Sequence, residues 1–353
     1  MVVRGGGPVH LAFFVTSRCQ LACRHCFYWQ SLGTDSQREL TVDEIARIAP
    51  GIGRLLWLAL TGGEPFIRGD LVEIVRILDA SCAPQVLTIV TNGWDTGSIA
   101  RQLPEILRAS GSSLVQLNFS LDGPEDVHDA LRCREGSFGR LMESYRVAQH
   151  LAQRHPRLGL GINTAFSSLV QHRMAPLEAL VLHQLQPRHW DISLVRDKPK
   201  DQSVQAVDLD LFFLWKERLE RRLLEASLPY HALPGAKLAL ARHLQQNDHL
   251  RAYLREPGYS IPCLAGTHSA VLYDDGSLAL CEQRPERLGN LRDVGWDFGE
   301  LWQSERAKAL RQRIRDDRCH CDNGCNIAIN TLFRPRSAAG LAPALFRVLR
   351  RGR

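Results

Sequence analysis

Three cysteines stand close together near the start of the chain, in the segment CQLACRHC that runs from Cys19 to Cys26. Thiolates at this spacing could bind zinc, pair as a disulfide or hold an iron–sulfur cluster. A structural zinc site needs four protein ligands, and the nearest fourth candidate, His25, lies between two of the cysteines. Three thiolates instead suit a four-iron cluster in which one iron has no protein ligand. An open metal position of this kind is where substrate chemistry can occur.

The distribution of all ten cysteines favours metal or redox chemistry over disulfides. The N-terminal segment MVVRGGGPVH lacks the apolar region of a secretory signal, so we expect a cytoplasmic location. Cys19, Cys23 and Cys26 form one group, and a second group lies near the other end of the chain, at Cys263, Cys281, Cys319, Cys321 and Cys325. Cys82 and Cys133 stand apart, and each is more typical of a buried apolar residue than of a reactive one.

Six short apolar segments alternate with amphipathic ones over the first two-thirds of the chain. Their nearly continuous hydrophobicity is typical of buried parallel strands, and the segments between them have helical periodicity. The predicted strands cover residues 10–15, 55–61, 86–91, 114–122, 158–164 and 190–196. Six β–α units predict an α/β fold with a parallel sheet, either open or closed into a partial barrel. In both cases the ligand site belongs at the carboxyl ends of the strands.

Polar and glycine-containing motifs follow several of these strands: TGGEP at 61–65, TNG at 91–93 and SLDG at 120–123. Gly62 and Gly63 allow backbone to approach a ligand closely, Pro65 fixes the turn, and the Glu64 carboxylate suits a bound ammonium group. The remaining candidate ligand-binding residues, from later strand ends, are Asn92, Ser120, Asp122, Asn163 and Arg196. Each motif alone is an ordinary turn or cap, but together they predict one site beside the three cysteines.

The last third of the chain has a different character. Residues 206–256 have helical patterns, AVLYDDGSLAL reads as a hairpin with Asp275 and Gly276 in its turn, and a helix is predicted at about 299–315. The formal net charge is +6, and six arginines without any acidic residue lie between Arg334 and Arg353. This basic tail favours a solvated, frayed end, or else a helix that touches a membrane surface or an anionic partner. A nucleic-acid-binding protein would more often carry its basic patch across the folded body, and no apolar run is long enough to cross a membrane.

The spacing Cys19-x3-Cys23-x2-Cys26 after a first strand resembles the signature of the radical S-adenosylmethionine (SAM) superfamily. The resemblance implies a partial (β/α)6 TIM-type barrel, here over residues 1–205. It also implies a [4Fe-4S] cluster coordinated by the three cysteines and by the amino and carboxylate groups of SAM. The TGGEP motif with Glu64 would contact the SAM amino group, Ser120 the ribose and Arg196 the carboxylate. His25 takes the place of an aromatic residue that the family often has.

The pattern Cys263-x12-Gly276-x4-Cys281 resembles the start of the SPASM or twitch extension of radical SAM enzymes, which holds auxiliary iron–sulfur clusters. It implies a small hairpin-plus-helix cluster-binding domain at 257–332, after a helical bridge at 206–256 and before a basic tail at 333–353. Five cysteines suffice for one auxiliary [4Fe-4S] cluster with one cysteine left over. The predicted ligands are Cys263, Cys281 and Cys325, with Cys321 or Cys319 as the fourth. A structural zinc in these cysteines is an alternative.

The resemblance implies an enzyme that reductively cleaves SAM to a 5′-deoxyadenosyl radical, which abstracts hydrogen from a carbon of its substrate. Expected partners are a reductant such as flavodoxin or ferredoxin and a peptide or protein substrate, with a small metabolite as the alternative. About nine residues precede the first strand, so a separate peptide-recognition protein is expected if the substrate is a peptide. A spare thiol, Cys319 or Cys133, could return hydrogen in an epimerisation. A non-catalytic iron–sulfur or zinc protein is the competing class, and it would have no use for TGGEP and SLDG.

Overall fold

The computed structural model of the chain describes residues 6–33, 36–224, 236–259, 261–333 and 335–351. Within these residues the strands form a sheet of nine in the order β6-β5-β4-β3-β2-β1-β7-β8-β9. The strands are β1 (His10–Thr16), β2 (Trp57–Gly62), β3 (Val86–Thr91), β4 (Leu114–Ser120), β5 (Leu158–Phe166), β6 (His189–Leu194), β7 (Ser269–Leu272), β8 (Ser277–Ala279) and β9 (Arg287–Asn290). The first six are all parallel to their neighbours, so the predicted α/β fold with a parallel sheet is confirmed.

Helices follow most of the parallel strands and pack on one side of the sheet. The helices are α1 (Val42–Ile52), α2 (Leu71–Cys82), α3 (Thr96–Ala109), α4 (Glu125–Arg132), α5 (Ser137–Ala152), α6 (Met174–Leu180), α7 (Leu209–Leu224), α8 (Ala236–Arg255), α9 (Phe298–Gln303), α10 (Glu305–Asp316), α11 (Gly324–Phe333) and α12 (Pro335–Arg351). The Thr41 capping box starts α1 as predicted, because the Thr41 hydroxyl accepts from the Glu44 N–H and the Glu44 carboxylate accepts from the Thr41 N–H.

The two faces of the parallel sheet differ in chemistry. Leu11 and Phe13 of β1 are buried in the apolar core together with residues of the flanking helices. The alternate residues His10 and Ala12 instead line a cavity on the opposite face. On that face β5 has a glycine, Gly161, where a Cβ would lie 2.2 Å from the Asn118 side-chain oxygen. Small and polar residues therefore keep the inner face of the sheet open for a ligand.

The predicted C-terminal hairpin joins the same sheet instead of forming a separate one. β7 pairs in parallel with β1, with His10 opposite Ser269 and Phe13 opposite Leu272. β8 and β9 then continue the sheet in antiparallel fashion. Gly276 in the hairpin turn has a φ of +87°, a conformation that glycine adopts without strain. The sheet thus physically connects the barrel-type strands to the cysteine-rich part of the chain.

The basic tail is a helix packed on the body of the protein. Helix α12 lies against α8, where Ala344 and Val348 are buried in the main core. Arg347 forms an ion pair with Asp248 of α8. The expectation of a frayed, solvated end is therefore wrong for the described part of this segment, because the apolar face of α12 has a partner surface. Over the residues that are described, none of the helices has the length and apolar character required to span a bilayer.

Candidate active site

The three N-terminal cysteines lie in the loop that follows β1, at the carboxyl end of that strand. Cys23 is buried, while Cys19 and Cys26 are partly exposed. Burial raises the pKa of Cys19 to about 12 and that of Cys26 to about 11, and it also raises the pKa of Cys23. The thiols are therefore protonated until a positive metal centre displaces the protons, as thiolate ligation requires.

The TGGEP loop after β2 is joined to the cysteine loop by backbone hydrogen bonds. The Gly63 N–H donates to the Thr16 carbonyl and the Glu64 N–H donates to the Arg18 carbonyl, each at 2.8 Å. A Cβ on Gly63 would lie 2.0 Å from the Arg18 oxygen. From the sequence, these glycines are expected to let backbone approach a ligand. In the structure their first requirement is the close contact of the two loops.

Glu64 connects the ends of β2 and β3. Its carboxylate is buried and accepts hydrogen bonds from the Phe66 N–H, the Thr91 hydroxyl and the Asn92 N–H, at 3.1, 2.9 and 2.7 Å. Burial raises the pKa of Glu64 to about 7. The Asn92 side-chain amide lies 3.7 Å from the Cys19 sulfur. The structure therefore brings TGGEP, TNG and the cysteine loop together, as the strand-end argument predicts.

In the SLDG segment after β4, the Asp122 carboxylate contacts other residues of the protein. Asp122 is buried, accepts the Ala165 N–H at 2.9 Å and forms an ion pair with Arg132 at 2.5 Å. It is thus engaged by the protein itself, and its expected contact with the cofactor stays a prediction. Ser120 ends β4 opposite Asn163 of β5, so these two predicted residues do lie side by side at the strand ends.

Arg132, at the end of α4, is a site residue that the sequence analysis missed. Its guanidinium is buried and donates to the Cys23 sulfur at 3.8 Å and to the Ser120 carbonyl at 2.9 Å. The short segment from SLDG through α4 folds back so that its last residue reaches the cysteine loop. The signal in the sequence is weak, because an arginine at a helix end is also an ordinary surface residue.

A central cavity of about 540 Å³ lies on the inner face of the sheet and extends to the C-terminal cysteines. Asn163 and Arg196 both line it. Arg196 forms an ion pair with Glu282 at 2.7 Å, and its guanidinium lies 4.5 Å from the centre of the Phe27 ring. The prediction that Arg196 holds the SAM carboxylate is therefore not supported, since its charge is already paired with a residue of the C-terminal part.

A second cavity, of about 200 Å³, is surrounded by C-terminal cysteines. The cysteines that line this auxiliary cavity are Cys263, Cys281, Cys319 and Cys321. Contact with the Cys263 thiol and with the Arg284 guanidinium lowers the pKa of Cys319. Asn326 donates to the Cys281 sulfur at 3.4 Å. Four thiols around one cavity are the ligand number of a complete [4Fe-4S] cluster.

Cys325 does not belong to this set, in contrast to the prediction. It lines the central cavity, where its charged neighbours are Glu282 and Arg196. The physical reason is that Cys325 lies in the first turn of α11, and the segment between Cys321 and α11 turns it toward the central cavity. The structure therefore favours Cys319 and Cys321 as the third and fourth auxiliary ligands, with Cys325 as the spare thiol.

Neither of the predicted spare thiols faces the central cavity. Cys133 is exposed just after α4, and its thiol donates to the Ala130 carbonyl at 3.8 Å. Its interpretation as a buried residue is wrong, whereas Cys82 is fully buried as expected. Cys319 lies at the auxiliary cavity.

The distances between the cysteine side chains are relevant to the alternative that the cysteines bind zinc and not an iron–sulfur cluster. A zinc ion binds sulfur at about 2.3 Å, so its ligands converge on one point, whereas a four-iron cluster holds its thiolates further apart. In the part of the chain that the structure describes, no three His, Cys, Asp or Glu side chains converge closely enough to hold a single metal ion.

Comparisons with known proteins agree with these sites. Residues 13–161 match the model of the radical SAM superfamily, and residues 263–326 match that of an iron–sulfur cluster-binding domain, SPASM. The AdoMet-dependent heme synthase of Methanosarcina barkeri is 26% identical over 328 residues, which cover 90% of this chain and 87% of the relative. The GTP 3′,8-cyclase of Moorella thermoacetica is 29% identical over 162 residues, 45% of this chain, and the match spans only 48% of that relative.

Solved structures share the fold. Streptococcus suis SuiB superposes with a TM-score of 0.59 at 15% identity, over 87% of this chain and 68% of SuiB. The anSMEcpe structure with bound AdoMet and the Cp18Cys peptide gives a TM-score of 0.61 at 14% identity, over 97% and 98% of the two chains. The predicted chemistry is confirmed at the level of the family: the protein is an enzyme that uses SAM, a [4Fe-4S] cluster and auxiliary iron–sulfur binding. The chain belongs to the radical SAM superfamily and carries a SPASM domain at its C-terminal end.

Proposed function

We propose that the enzyme abstracts a hydrogen atom from a carbon of a peptide or protein substrate held in the central cavity. The bound cluster and SAM supply the 5′-deoxyadenosyl radical that this reaction needs. Cys19, Cys23 and Cys26 would hold the cluster, and the TGGEP loop, hydrogen-bonded to the cysteine loop, would position SAM beside it. Asn92 would support this arrangement through its contact with Cys19. Flavodoxin or ferredoxin is the class of reductant that fits.

The proposed substrate class rests on the charged side chains that line the central cavity. Its three basic side chains are already engaged: Arg196 with Glu282 at 2.7 Å, Lys216 with Asp191 at 3.0 Å and Arg242 with the Ala328 carbonyl at 3.0 Å. A substrate rich in phosphate or carboxylate groups would need basic groups that are not already paired. Carboxylates neutralise Arg196 and Lys216, whereas the Ala328 carbonyl leaves the charge of Arg242 in place, so the cavity favours a substrate with mainly uncharged polar groups.

Two histidines and several amides add neutral polar groups to the cavity lining. Burial lowers the pKa of His10 to about 4 and that of His243 to about 3, so both imidazoles are uncharged near neutral pH. Asn118, Asn163 and Asn247 add side-chain amides. Imidazoles and amides both donate and accept hydrogen bonds, as peptide backbone does. The volume of about 540 Å³ accommodates a few residues of an extended peptide.

A small metabolite is the second candidate substrate. It is favoured by the heme synthase relative, whose similarity covers 90% of this chain. Two of the structural neighbours favour the peptide instead, since SuiB has been seen with the precursor peptide SuiA and anSMEcpe with the Cp18Cys peptide. We rank the peptide first, because the ion pairs of the cavity support a substrate with few charged groups.

Anaerobic purification and reduction test the proposed chemistry. We expect about eight irons and eight sulfides per chain, and formation of 5′-deoxyadenosine when SAM and a reductant are added. Alanine at Cys19, Cys23 and Cys26 should abolish this product, while Cys82→Ala, a buried thiol outside both sites, should retain it. Zinc in place of iron, or cleavage that persists in the triple variant, would refute the assignment.

The substrate class is tested with candidate peptides encoded beside the gene. A loss of hydrogen, a crosslink or an inverted residue, detected by mass spectrometry and chiral analysis, is expected in such a peptide. If only a small metabolite is converted and every neighbouring peptide is unchanged, the peptide proposal is wrong even though the radical SAM chemistry stands.

A further inference from the structure

Arg132 is a buried positive charge directed at one of the three cluster cysteines. It is 7% exposed and lies at the C-terminal end of α4, after which the chain turns at Cys133 with a φ of 53°. One guanidinium nitrogen, Nη1, is 3.8 Å from the Cys23 sulfur. The other, Nη2, donates to the Ser120 carbonyl at 2.9 Å. The guanidinium is therefore fixed between the end of β4 and the cysteine loop.

Asp122 holds this guanidinium in place from the opposite side. Its carboxylate is 1% exposed and lies 2.5 Å from Nη2 of Arg132, while its other oxygen accepts the Ala165 N–H at 2.9 Å. The Asp122 N–H donates to the His128 ring at 3.2 Å, and the His25 ring lies 3.6 Å from the carboxylate. Asp122 thus links β4, β5 and the cysteine loop.

Two histidine rings complete the surroundings of this pair. The His25 ring lies beside the Asp122 carboxylate, and the His128 ring accepts the Asp122 N–H. Other charged groups of this region have partners of their own: Glu64 accepts the Asn92 N–H, Arg18 pairs with Glu39, Arg24 pairs with Asp201, and Lys200 donates to the Ala22 carbonyl at the surface. The local field at Cys23 is therefore set by Arg132 and Asp122.

A buried ion pair adds little to stability once its desolvation is counted, so stability alone does not account for this one. Its geometry gives a second role. Reduction of a cluster adds an electron, and a nearby positive charge or an N–H that donates to a ligand sulfur stabilises the reduced form. Arg132 provides both at Cys23, and Asp122 orients the guanidinium and partly offsets its charge.

We propose that Arg132 is a positioning residue for the Cys23 thiolate and raises the reduction potential of the cluster, and that Asp122 limits this effect. The inference rests on the proposed function, because it requires the SAM-binding cluster at Cys19, Cys23 and Cys26. It predicts opposite effects for the two partners. Loss of the positive charge should lower the potential, and loss of the negative charge should raise it.

The test is a redox titration of the reconstituted enzyme with SAM present, followed by electron paramagnetic resonance. Only an iron with an open position can take SAM, so the signal that changes on SAM addition identifies the cluster at Cys23. Arg132→Gln should shift the midpoint of that signal to a more negative potential. Asp122→Asn, which keeps an acceptor for the Ala165 N–H, should shift it to a more positive one.

Two further variants separate a redox role from a structural one. Arg132→Lys keeps the charge and should stay closer to the wild-type potential than Arg132→Gln does. Arg157→Gln removes an arginine that donates to the Leu107 and Ser113 carbonyls at the other end of the sheet, and it should leave the potential unchanged. The auxiliary cluster in the same sample is an internal reference that should not move.

The outcomes distinguish this inference from the proposed function. Shifts of the same sign for Arg132→Gln and Asp122→Asn, or no shift in either, would overturn the role of the pair while leaving the radical SAM assignment intact. A wild-type enzyme without a SAM-responsive signal, or a signal that persists in Cys23→Ala, would overturn the site assignment itself and the inference with it.

Discussion

Cys321 and Cys325 are four residues apart, yet their thiols face different cavities. Cys321 lies with three other cysteines around the auxiliary cavity, whereas Cys325 lies beside the Arg196–Glu282 ion pair in the central cavity. Cys321 is therefore positioned to bind iron of the auxiliary cluster, and Cys325 is not. The sequence pattern alone does not distinguish the two cysteines.

Alanine substitution of these two cysteines should separate their roles. Cys321→Ala should lose about four irons per chain, because it removes one of the four auxiliary ligands. Cys325→Ala should retain the wild-type iron content and auxiliary spectrum. Iron and sulfide assays on anaerobically purified variants measure this difference. Normal iron content in Cys321→Ala, together with loss in Cys325→Ala, would restore the ligand set predicted from the sequence.

The site residues that the sequence could predict are those whose own spacing carries the signal. Cys19, Cys23 and Cys26 lie within eight residues of one another in a single loop, and Glu64 lies just after a predicted strand. Arg132 and Arg196 show the limit, because the role of each depends on a partner that is distant in sequence. Arg132 reaches Cys23 across 109 positions, and Arg196 is paired with Glu282 across 86.

At the scale of elements, the loops after β1 and β2 fit together only because Gly63 has no side chain. Gly63→Ala should displace the TGGEP loop, since the new Cβ would lie 2.0 Å from the Arg18 carbonyl oxygen. We expect loss of SAM cleavage and destabilisation by about 3 kcal/mol. Thermal unfolding and 5′-deoxyadenosine formation measure the two effects.

Gly139, in the first turn of α5, is the matched control. Nothing lies within 4 Å of a Cβ built there. Gly139→Ala should leave SAM cleavage intact and increase helix stability by up to about 1 kcal/mol. Equal effects of the two glycine substitutions would mean that the contact between the loops is not required.

Helix α1 is connected to the C-terminal part through Glu44 and Arg292. The guanidinium donates to both carboxylate oxygens, at 2.7 and 3.0 Å, and also to the Asp275 carbonyl at 3.0 Å. The Arg292 hydrogen bond, helped by the Thr41 cap, lowers the pKa of Glu44 to about 2. Because the folded-state pKa lies below the ordinary value, this stabilisation is present above about pH 4.5 and is lost as the pH falls toward 2.

Glu44→Gln should therefore destabilise the protein by about 2 kcal/mol at pH 7, and by less at pH 3. Urea unfolding of the variant and the wild type at both pH values measures the difference. Glu105→Gln is a suitable control, because Glu105 forms an exposed ion pair with Arg108 within α3 and should change stability by less than about 0.5 kcal/mol. A difference for Glu44→Gln that is independent of pH would contradict the ion-pair explanation.

For the whole molecule, the six parallel strands were predictable because each is a continuous apolar segment followed by a helix. The place of the hairpin in the same sheet was not. β7 has only four residues, and it pairs with β1 across more than 250 positions of sequence, so no local pattern indicates the partner. The boundaries predicted at 205/206 and 256/257 stay a prediction, and we propose that the units they separate fold as one.

Hydrogen–deuterium exchange of the holoenzyme tests this continuity. β1 lies between β2 and β7, and Leu272 of β7 belongs to the same buried core as Leu11 and Phe13 of β1. Opening β7 would expose that core, so its amides should exchange as slowly as those of β3 in the middle of the sheet. Much faster exchange of residues 269–272 than of residues 86–91 would show instead that the C-terminal part opens independently. Slow exchange in both would mean that the cysteine loop and the C-terminal part are joined by one continuous sheet that opens as a unit.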